Sequence, residues 1–417
     1  MSLTGKPSGQ AEALVGLLAA LGGRCYGLAV SGGGDSMALM QLAAAAGVAA
    51  EVATVDHGLR PEAAAEARMV GAQAAALGFR HETLLWDGKA ARGNLPDAGR
   101  QARRQLLAGW AVRRGFDAVV LAHTADDVAE TFLMRLARGA GVDGLSAMAG
   151  EFEAEGMRFL RPLLSVRRQD LRDWLSAHGF SWVEDPSNED PHYERTRARA
   201  ALAALAPLGV SIERIGEVAG HLAEARAALE AETDALLRAA ATVEGEGLAL
   251  RLDRAALLAA PSEILRRALV AIILWLAPEP YAPRGAQVQG LAERLAAGKA
   301  SQLRGVRFFD WKGALSACRE ERAMAARVPV GELFDARWRF EGAVEQDCEV
   351  GPLGAEGLKQ CPEWREQGLP RAALLAAPAL WRGESLVAAP HAGKQTAGIR
   401  VICRLPAHPA TRPLLSH

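Results

Sequence analysis

Cysteine is scarce and poorly placed for chemistry. The five present, Cys25, Cys318, Cys348, Cys361 and Cys403, stand far apart and form no CxxC pair. A zinc ribbon, an iron–sulfur site and a thioredoxin-type redox pair therefore have no support. Scattered thiols in odd number point to a reducing compartment, the cytoplasm. Long apolar runs are missing as well. The longest, Ala268–Ala277, is stopped by Arg266-Arg267 on one side and Pro278 on the other, far short of the about 18 residues that span a bilayer, so no membrane partner is expected. The apolar stretch around Leu14–Leu21 has no basic segment before it and runs into Arg24 and a glycine loop, which argues against a secretory leader. An excess of charge is also lacking: 48 basic residues face 49 acidic ones, for a net charge of -1. Bulk polycation behaviour is excluded, a local basic groove is not. Among the basic residues only six are lysine and the other 42 arginine. Arginine suits bidentate phosphate contacts, although in so alanine-rich a chain a coding bias explains many of them.

What is there reads as an ordinary globular chain. Its 417 residues, half of them apolar, suggest two to three domains at about 150 residues each. Strand and helix signals alternate through the first half. Strands are expected at Arg24–Val30, Glu51–Val55, His81–Leu85 and Asp117–Ala122, helices at Met37–Ala46, Glu62–Leu77, Leu95–Arg114 and Asp126–Arg138. That alternation means βαβ units and a buried parallel sheet, an α/β fold. Ligands on such sheets bind at the carboxyl ends of the strands, where Ser31–Ser36, Asp56–Arg60 and His123–Glu130 fall. Residues 212–277 are helical by composition, and Ser301–Cys318 alternates like a hairpin. From about Val328 the chain is Gly/Pro-rich with short apolar runs, as in a small α+β or mostly β domain. The division expected is 1–208, 209–325 and 326–417.

Between the first strand and its helix stands Ser31-Gly32-Gly33-Gly34-Asp35-Ser36. Glycines let the backbone approach an anion and adopt positive φ, and the helix that follows offers unpaired N–H groups and the positive end of its dipole. Two serine hydroxyls add donors. Asp35 would repel phosphate unless a cation lies between them, which a Mg²⁺ held by Asp35 resolves. No lysine lies nearby, so this is not a Walker A loop, and the glycine spacing does not fit a dinucleotide fingerprint. Asp127 and Glu130, three apart at a helix start, share a face; such a pair can hold an ammonium group, coordinate Mg²⁺ or act as a base, or simply cap the helix. Arginines crowd three stretches: Arg92, Arg100, Arg103, Arg104, Arg113 and Arg114; then Arg158, Arg161, Arg167, Arg168 and Arg172; then Arg195, Arg197 and Arg199. Such local excesses in a nearly neutral chain suggest a nucleic-acid track. Trp182 and Tyr193 could stack on bases, while Trp174 reads as core.

The string SGGxDS resembles the signature of the PP-loop (N-type) ATP pyrophosphatases, and the resemblance continues through Val55-Asp56-His57-Gly58-Leu59-Arg60, Gly93-Asn94 with Arg100, Arg103 and Arg104, His123-Thr124-Ala125-Asp126-Asp127-Val128-Ala129-Glu130-Thr131, Arg161-Pro162-Leu163-Leu164, Asp185-Pro186-Ser187-Asn188 and the Arg195/Arg197/Arg199 element. In that order these motifs resemble the tRNA(Ile)-lysidine synthase family. They cover about the first 200 residues well and the later ones loosely. The resemblance implies an adenine nucleotide alpha hydrolase-like N-terminal domain, a mostly helical domain and a small C-terminal domain. It implies that ATP adenylates the C2 oxygen of the wobble cytidine of a CAU-anticodon isoleucine tRNA and that free L-lysine then displaces AMP. Carried over, Ser31, Gly32, Gly33, Gly34, Asp35, Ser36, Asp56 and Arg60 would bind ATP with Mg²⁺ at Asp35. Asp127 and Glu130, with His123 and Arg103 beside them, would hold the lysine. Arg161, Arg195, Arg197 and Arg199 would contact tRNA. Two departures from the family pattern are Thr196, where Asn is common, and Pro96, where an acidic residue is common; Pro at a helix N1 position is tolerated.

Other readings rest on the same loop. A PP-loop tRNA 2-thiolation enzyme would want paired cysteines, which are missing. An amide-forming ligase acting on a small molecule would not need the RPLL, DPSN and triple-arginine segments. An anion-binding adaptor would not need Asp35, Asp127 and Glu130, all present. The proton acceptor for the lysine amine stays open, as does the oligomeric state, a homodimer being one option. Rejection of the methionine tRNA that shares the anticodon is expected from the later domains.

Overall fold

The structure is a computed structural model that describes residues 9–21, 24–58, 62–86, 95–184, 194–279 and 281–411. Leu59-Arg60, Arg92-Gly93-Asn94, Asp185–Asn188 and Tyr193 of the motifs above lie outside the described residues. The chain divides into two compact units that part between residues 226 and 227. Among the described residues no helix is long and apolar enough to cross a membrane.

The first unit follows the expected alternation: α1 (Gly9–Ala19), β1 (Tyr26–Ala29), α2 (Gly34–Ala45), β2 (Ala50–Asp56), α3 (Ala63–Ala76), β3 (His81–Leu85), α4 (Leu95–Arg114), β4 (Ala118–Val120) and α5 (Ala125–Ala137). Then come the single turn α6 (Val142–Leu145), the strands β5 (Glu151–Ala154) and β6 (Met157–Leu160), and the helices α7 (Arg168–Ala177), α8 (Glu194–Leu205) and α9 (Ile212–Ala240). The strands form one sheet in the order β3-β2-β1-β4-β6-β5. β3, β2, β1, β4 and β6 run parallel and β5 closes the edge antiparallel to β6. Because side chains alternate along a strand, neighbouring residues feed opposite cores. Leu28, Val30, Val52 and Val120 pack with Met37, Leu39 and Trp174 on one face, while Ala29, Ala53 and Val119 pack with Trp110, Leu107 and Phe159 on the other. Both faces are covered, which is what a parallel sheet requires. Trp174 thus belongs to the core, as the sequence suggests.

The β5–β6 hairpin was not foreseen. Its turn, Glu155-Gly156, has φ of 53° and 72°, the paired left-handed geometry of a tight hairpin loop.

The second unit begins within α9, at residue 227, and a hairpin follows inside the stretch read as continuously helical, β7 (Ala241–Glu244) and β8 (Ala249–Leu252). Helices α10 (Arg254–Ala259), α11 (Ser262–Leu276) and α12 (Gly285–Ala296) follow, then β9 (Ser301–Leu303), β10 (Val306–Trp311) and β11 (Ala314–Arg319). The expected hairpin at 301–318 is therefore a three-strand meander, joined to β7 and β8 in a five-stranded sheet of order β7-β8-β11-β10-β9. α11, with eleven of its fifteen residues buried, is the centre of that core: Ile272, Ile273 and Trp275 pack with Phe308 and Leu315. The last part is β-rich, as the Gly/Pro-rich composition suggests. It contains a four-stranded sheet and the pair Trp338–Gly342 with Ile399–Cys403 around a second core that includes Trp338, Phe340 and Trp381.

Candidate active site

The loop after β1 takes its shape from a glycine and two serines. Gly32 has φ +93°, a region in which a side chain is strained. Ser31 N donates to Ser36 Oγ at 3.1 Å, and Ser36 Oγ donates to Gly33 O at 2.9 Å. The Ser36 hydroxyl is thus a brace of the loop. Val183 N donates to Gly32 O at 3.0 Å, tying the loop to the strand-like stretch after α7. No side chain caps α2, which starts at Gly34 behind Gly33; a helix start of this kind, at the positive end of the dipole, can receive an anion.

Across from the loop, α5 starts with a reciprocal cap. Thr124 N and Thr124 Oγ1 each donate to Asp127 Oδ2 at 2.9 Å, and Asp127 N donates back to Thr124 Oγ1 at 3.4 Å. Asp127 is therefore a capping residue and a cavity-facing carboxylate at once, both roles that its position in the sequence allows. The neighbouring Asp126 turns away, and its Oδ2 accepts Arg168 N at 2.8 Å, pinning the start of α7.

A cavity of about 330 Å³ lies between these two helix starts. Ser31, Gly33, Gly34, Asp35 and Ser36 line it from one side, and Arg103, His123, Asp127, Arg168, Arg195 and Arg199 from the others. The volume is at the small end of the range for ligand sites, roughly 300–1,000 Å³. At its centre is Arg168. Its Nε donates to Asp35 Oδ2 at 2.8 Å, Nη1 to Glu130 Oε1 at 2.9 Å and Nη2 to Asp127 Oδ1 at 3.2 Å. Arg199 Nε also donates to Glu130 Oε1, at 2.7 Å. Glu130 is 1% exposed and lies outside the lining of the cavity; its Oε2 and Asp35 Oδ1 are buried without a protein partner.

Charge states follow from this crowding. Burial raises the Asp35 pKa, and Arg168 opposes that only in part. For Asp127 burial also works against ionisation, but Arg168, the Thr124 N–H and His123 outweigh it and hold the carboxyl below its usual range. Arg168 is pushed up in spite of its burial by Asp35, Asp127 and Glu130. His123 is pushed down to about 4, chiefly by burial, with Arg161, Arg103 and Arg195 adding to it against Asp127. It is neutral at pH 7, and its Nδ1 has no partner.

The remaining residues proposed from sequence take different places. Asp56 does not line the cavity; its Oδ1 accepts Gly58 N at 2.8 Å and shapes the turn after β2. Arg161 donates to Ala149 O at 2.9 Å and stacks 4.1 Å from the Phe152 ring centroid. The triple-arginine element is helical in α8, so Arg195 and Arg199, four apart, share the cavity-facing side, and Arg197 is exposed elsewhere. In the second arginine cluster Arg158 pairs with Glu151 at 2.8 Å, Arg167 with Asp126 at 3.4 Å and Arg172 with Glu184 at 3.1 Å. The central part of Arg168 was missed. Three acidic groups converging on one site require a buried cation, but the sequence does not say which arginine supplies it.

The PP-loop domain family matches residues 9–206. A tRNA(Ile)-lysidine synthase of Ruegeria pomeroyi is 48% identical over 375 residues, 89% of this chain and 89% of its own. One of a Bradyrhizobium species is 42% identical over 283 residues, covering 64% of this chain and 78% of its own. Among solved structures, a U34-tRNA thiolase of Methanococcus maripaludis aligns with a TM-score of 0.44 at 15% identity, over 52% of this chain and 80% of its own.

Proposed function

Because the chain belongs to the tRNA(Ile)-lysidine synthase family, we propose that it ligates free L-lysine to C2 of the wobble cytidine of the CAU-anticodon isoleucine tRNA, consuming ATP and releasing AMP and pyrophosphate. The observation that carries this is the convergence of an uncapped glycine loop, the helix-start carboxylates Asp35 and Asp127 and a ring of arginines on one cavity. The bond changes balance in two steps. The cytidine O2 attacks the α-phosphorus and the bond to pyrophosphate breaks. The lysine ammonium then gives up one proton to a base of the site or to solvent, the freed ε-amine attacks C2, and the C2–O bond breaks with AMP as leaving group. A carbonyl oxygen is a poor leaving group and a phosphate ester a good one, so the first step makes the second feasible.

In this reading Ser31 and the first amides of α2 hold the phosphates, with Gly32 giving the turn they need. Arg103, Arg195 and Arg199 offset phosphate charge on the cavity wall. Asp127 and Glu130 hold the lysine ammonium group, and His123, neutral at pH 7, can accept a hydrogen bond there through Nδ1. Asp35 fits a magnesium ion, since its Oδ1 is buried beside the loop without a protein partner and Mg²⁺ is commonly held by one or two carboxylates with substrate phosphates. Bound there, the ion would neutralise charge on the pyrophosphate that leaves. We further propose that Arg161 and Arg197 contribute to tRNA contact, that the chain acts in the cytoplasm, and that it functions as three domains, 1–208, 209–325 and 326–417, the later two telling the isoleucine tRNA from the methionine tRNA. Incubation with ATP, labelled lysine and separate CAU isoleucine and methionine transcripts tests the proposal: label should enter the isoleucine transcript alone. Label in neither transcript, or in both equally, refutes it.

A further inference from the structure

Both oxygens of Asp127 are already engaged. Oδ2 is committed to the Thr124 cap, and Oδ1 accepts from Arg168. Glu130 Oε1 accepts from both Arg168 and Arg199, and its Oε2 is buried on a residue that does not line the cavity. An ammonium group carries three donors and no acceptor, so it competes with the guanidinium for these carboxylates. Arg168 also links these carboxylates to the glycine loop, through Asp35. Its backbone is fixed by Asp126, so a swing of the side chain leaves α7 in place. Its planar fork fits phosphate as well as carboxylate.

We propose that Arg168 is a displaceable stand-in for the substrate ammonium: it holds Asp35, Asp127 and Glu130 while the site is without substrates, and shifts to a phosphate of the bound nucleotide, releasing Asp127 and Glu130 to lysine. This rests on the lysine ligation proposed above and adds an order to it. Lysine binds well only after a nucleotide phosphate has drawn Arg168 away. The arginine orders binding, because an amine settles beside the cytidine only once the nucleotide is in place. Arg168 is a positioning residue in this scheme, acting through the carboxylates.

The test is calorimetric titration of the full chain with L-lysine, alone and with saturating α,β-methylene ATP plus the unmodified CAU transcript. In the wild type the second condition should tighten lysine binding by about tenfold or more, a usual size for coupling between sites. In Arg168→Gln, lysine should bind without nucleotide about as tightly as it binds wild type with nucleotide, and the dependence should vanish. Methylguanidine added to Arg168→Ala should restore the dependence, which a merely structural role would not do. Equal lysine affinity of the wild type in both conditions overturns the proposal, and that comparison decides even where the variants do not fold. Weaker lysine binding by Arg168→Gln in both conditions also overturns it, since Arg168 would then belong to the lysine cradle. Lysine binding by neither protein in any condition refutes the proposed ligation itself.

Discussion

Gly32 and His123 show how single residues set the terms of this site. Gly32 holds φ +93°, and a Cβ there would meet Val70, Met69 and Glu66 at ordinary distances of 3.5, 3.7 and 3.9 Å. Gly32→Ala should therefore act through backbone strain, about 1–3 kcal/mol. Part of that strain is relieved by distorting the loop, so ATP-dependent pyrophosphate release should fall more than thermal stability does. Measuring both on one preparation separates loop geometry from global unfolding. His123 carries a pH dependence of definite sign. Its folded pKa of about 4 lies below the usual 6.5, so the unfolded chain binds the proton more readily. Stability contributed by the neutral ring is complete above about pH 6.5 and declines as the pH falls towards about 4, by up to about 3 kcal/mol. Urea unfolding at about pH 7 and about pH 4.5 should show a smaller difference for His123→Asn than for wild type. An equal difference would mean that the ring is not buried in its neutral form.

Elements are built by rules that are visible in sequence to different degrees. The βαβ alternation of the first unit was legible because buried strands and amphipathic helices differ in period and because glycines follow the helices. Gly27 shows what period cannot tell. A Cβ on it would lie 2.4 Å from Trp110 Cζ3, so β1 and α4 meet only because this strand residue has no side chain. Gly27→Ala should cost about 1–3 kcal/mol by overpacking, read by chemical unfolding, with Trp110→Ala costing more, about 3–5 kcal/mol, through the cavity it leaves. The hairpin missed at β5–β6 did carry a signal. Glu155-Gly156, like Arg304-Gly305 and Lys312-Gly313, adopts two successive positive φ angles, and a polar residue followed by glycine between short alternating runs is its mark. β7 and β8 were hidden because four-residue strands beside alanine-rich helices differ little from them in composition. In α8 the reverse holds: arginines that alternate in the sequence are sorted by a 3.6-residue period, which sends Arg197 away from Arg195 and Arg199.

At the scale of the molecule, a chain with a net charge of -1 must gather its cations locally to bind a polyanion. Several do not serve that end directly, being paired within the first unit, as Arg158, Arg167 and Arg172 are. Arg197, exposed on α8, is proposed to meet tRNA. Arg197→Ala should weaken binding of the transcript and lower the slope of log affinity against log salt by about one, measured by filter binding across a salt series. An unchanged slope would remove it from the interface. The sequence by itself determined the kind of chemistry: an SGGxDS string before a helix can do little but hold phosphate, and acidic residues at a helix start can do little but cap or bind cations. Those properties are local, set by backbone conformation and side-chain type within a few residues. Only the tertiary structure decided which charges meet. Asp35, Asp127, Glu130 and Arg168 come from three helices up to 133 positions apart, and no local rule selects one arginine among 42. That choice was made when the sheet brought the starts of α2, α5 and α7 to one end, where burial leaves no ionised carboxylate stable without a partner.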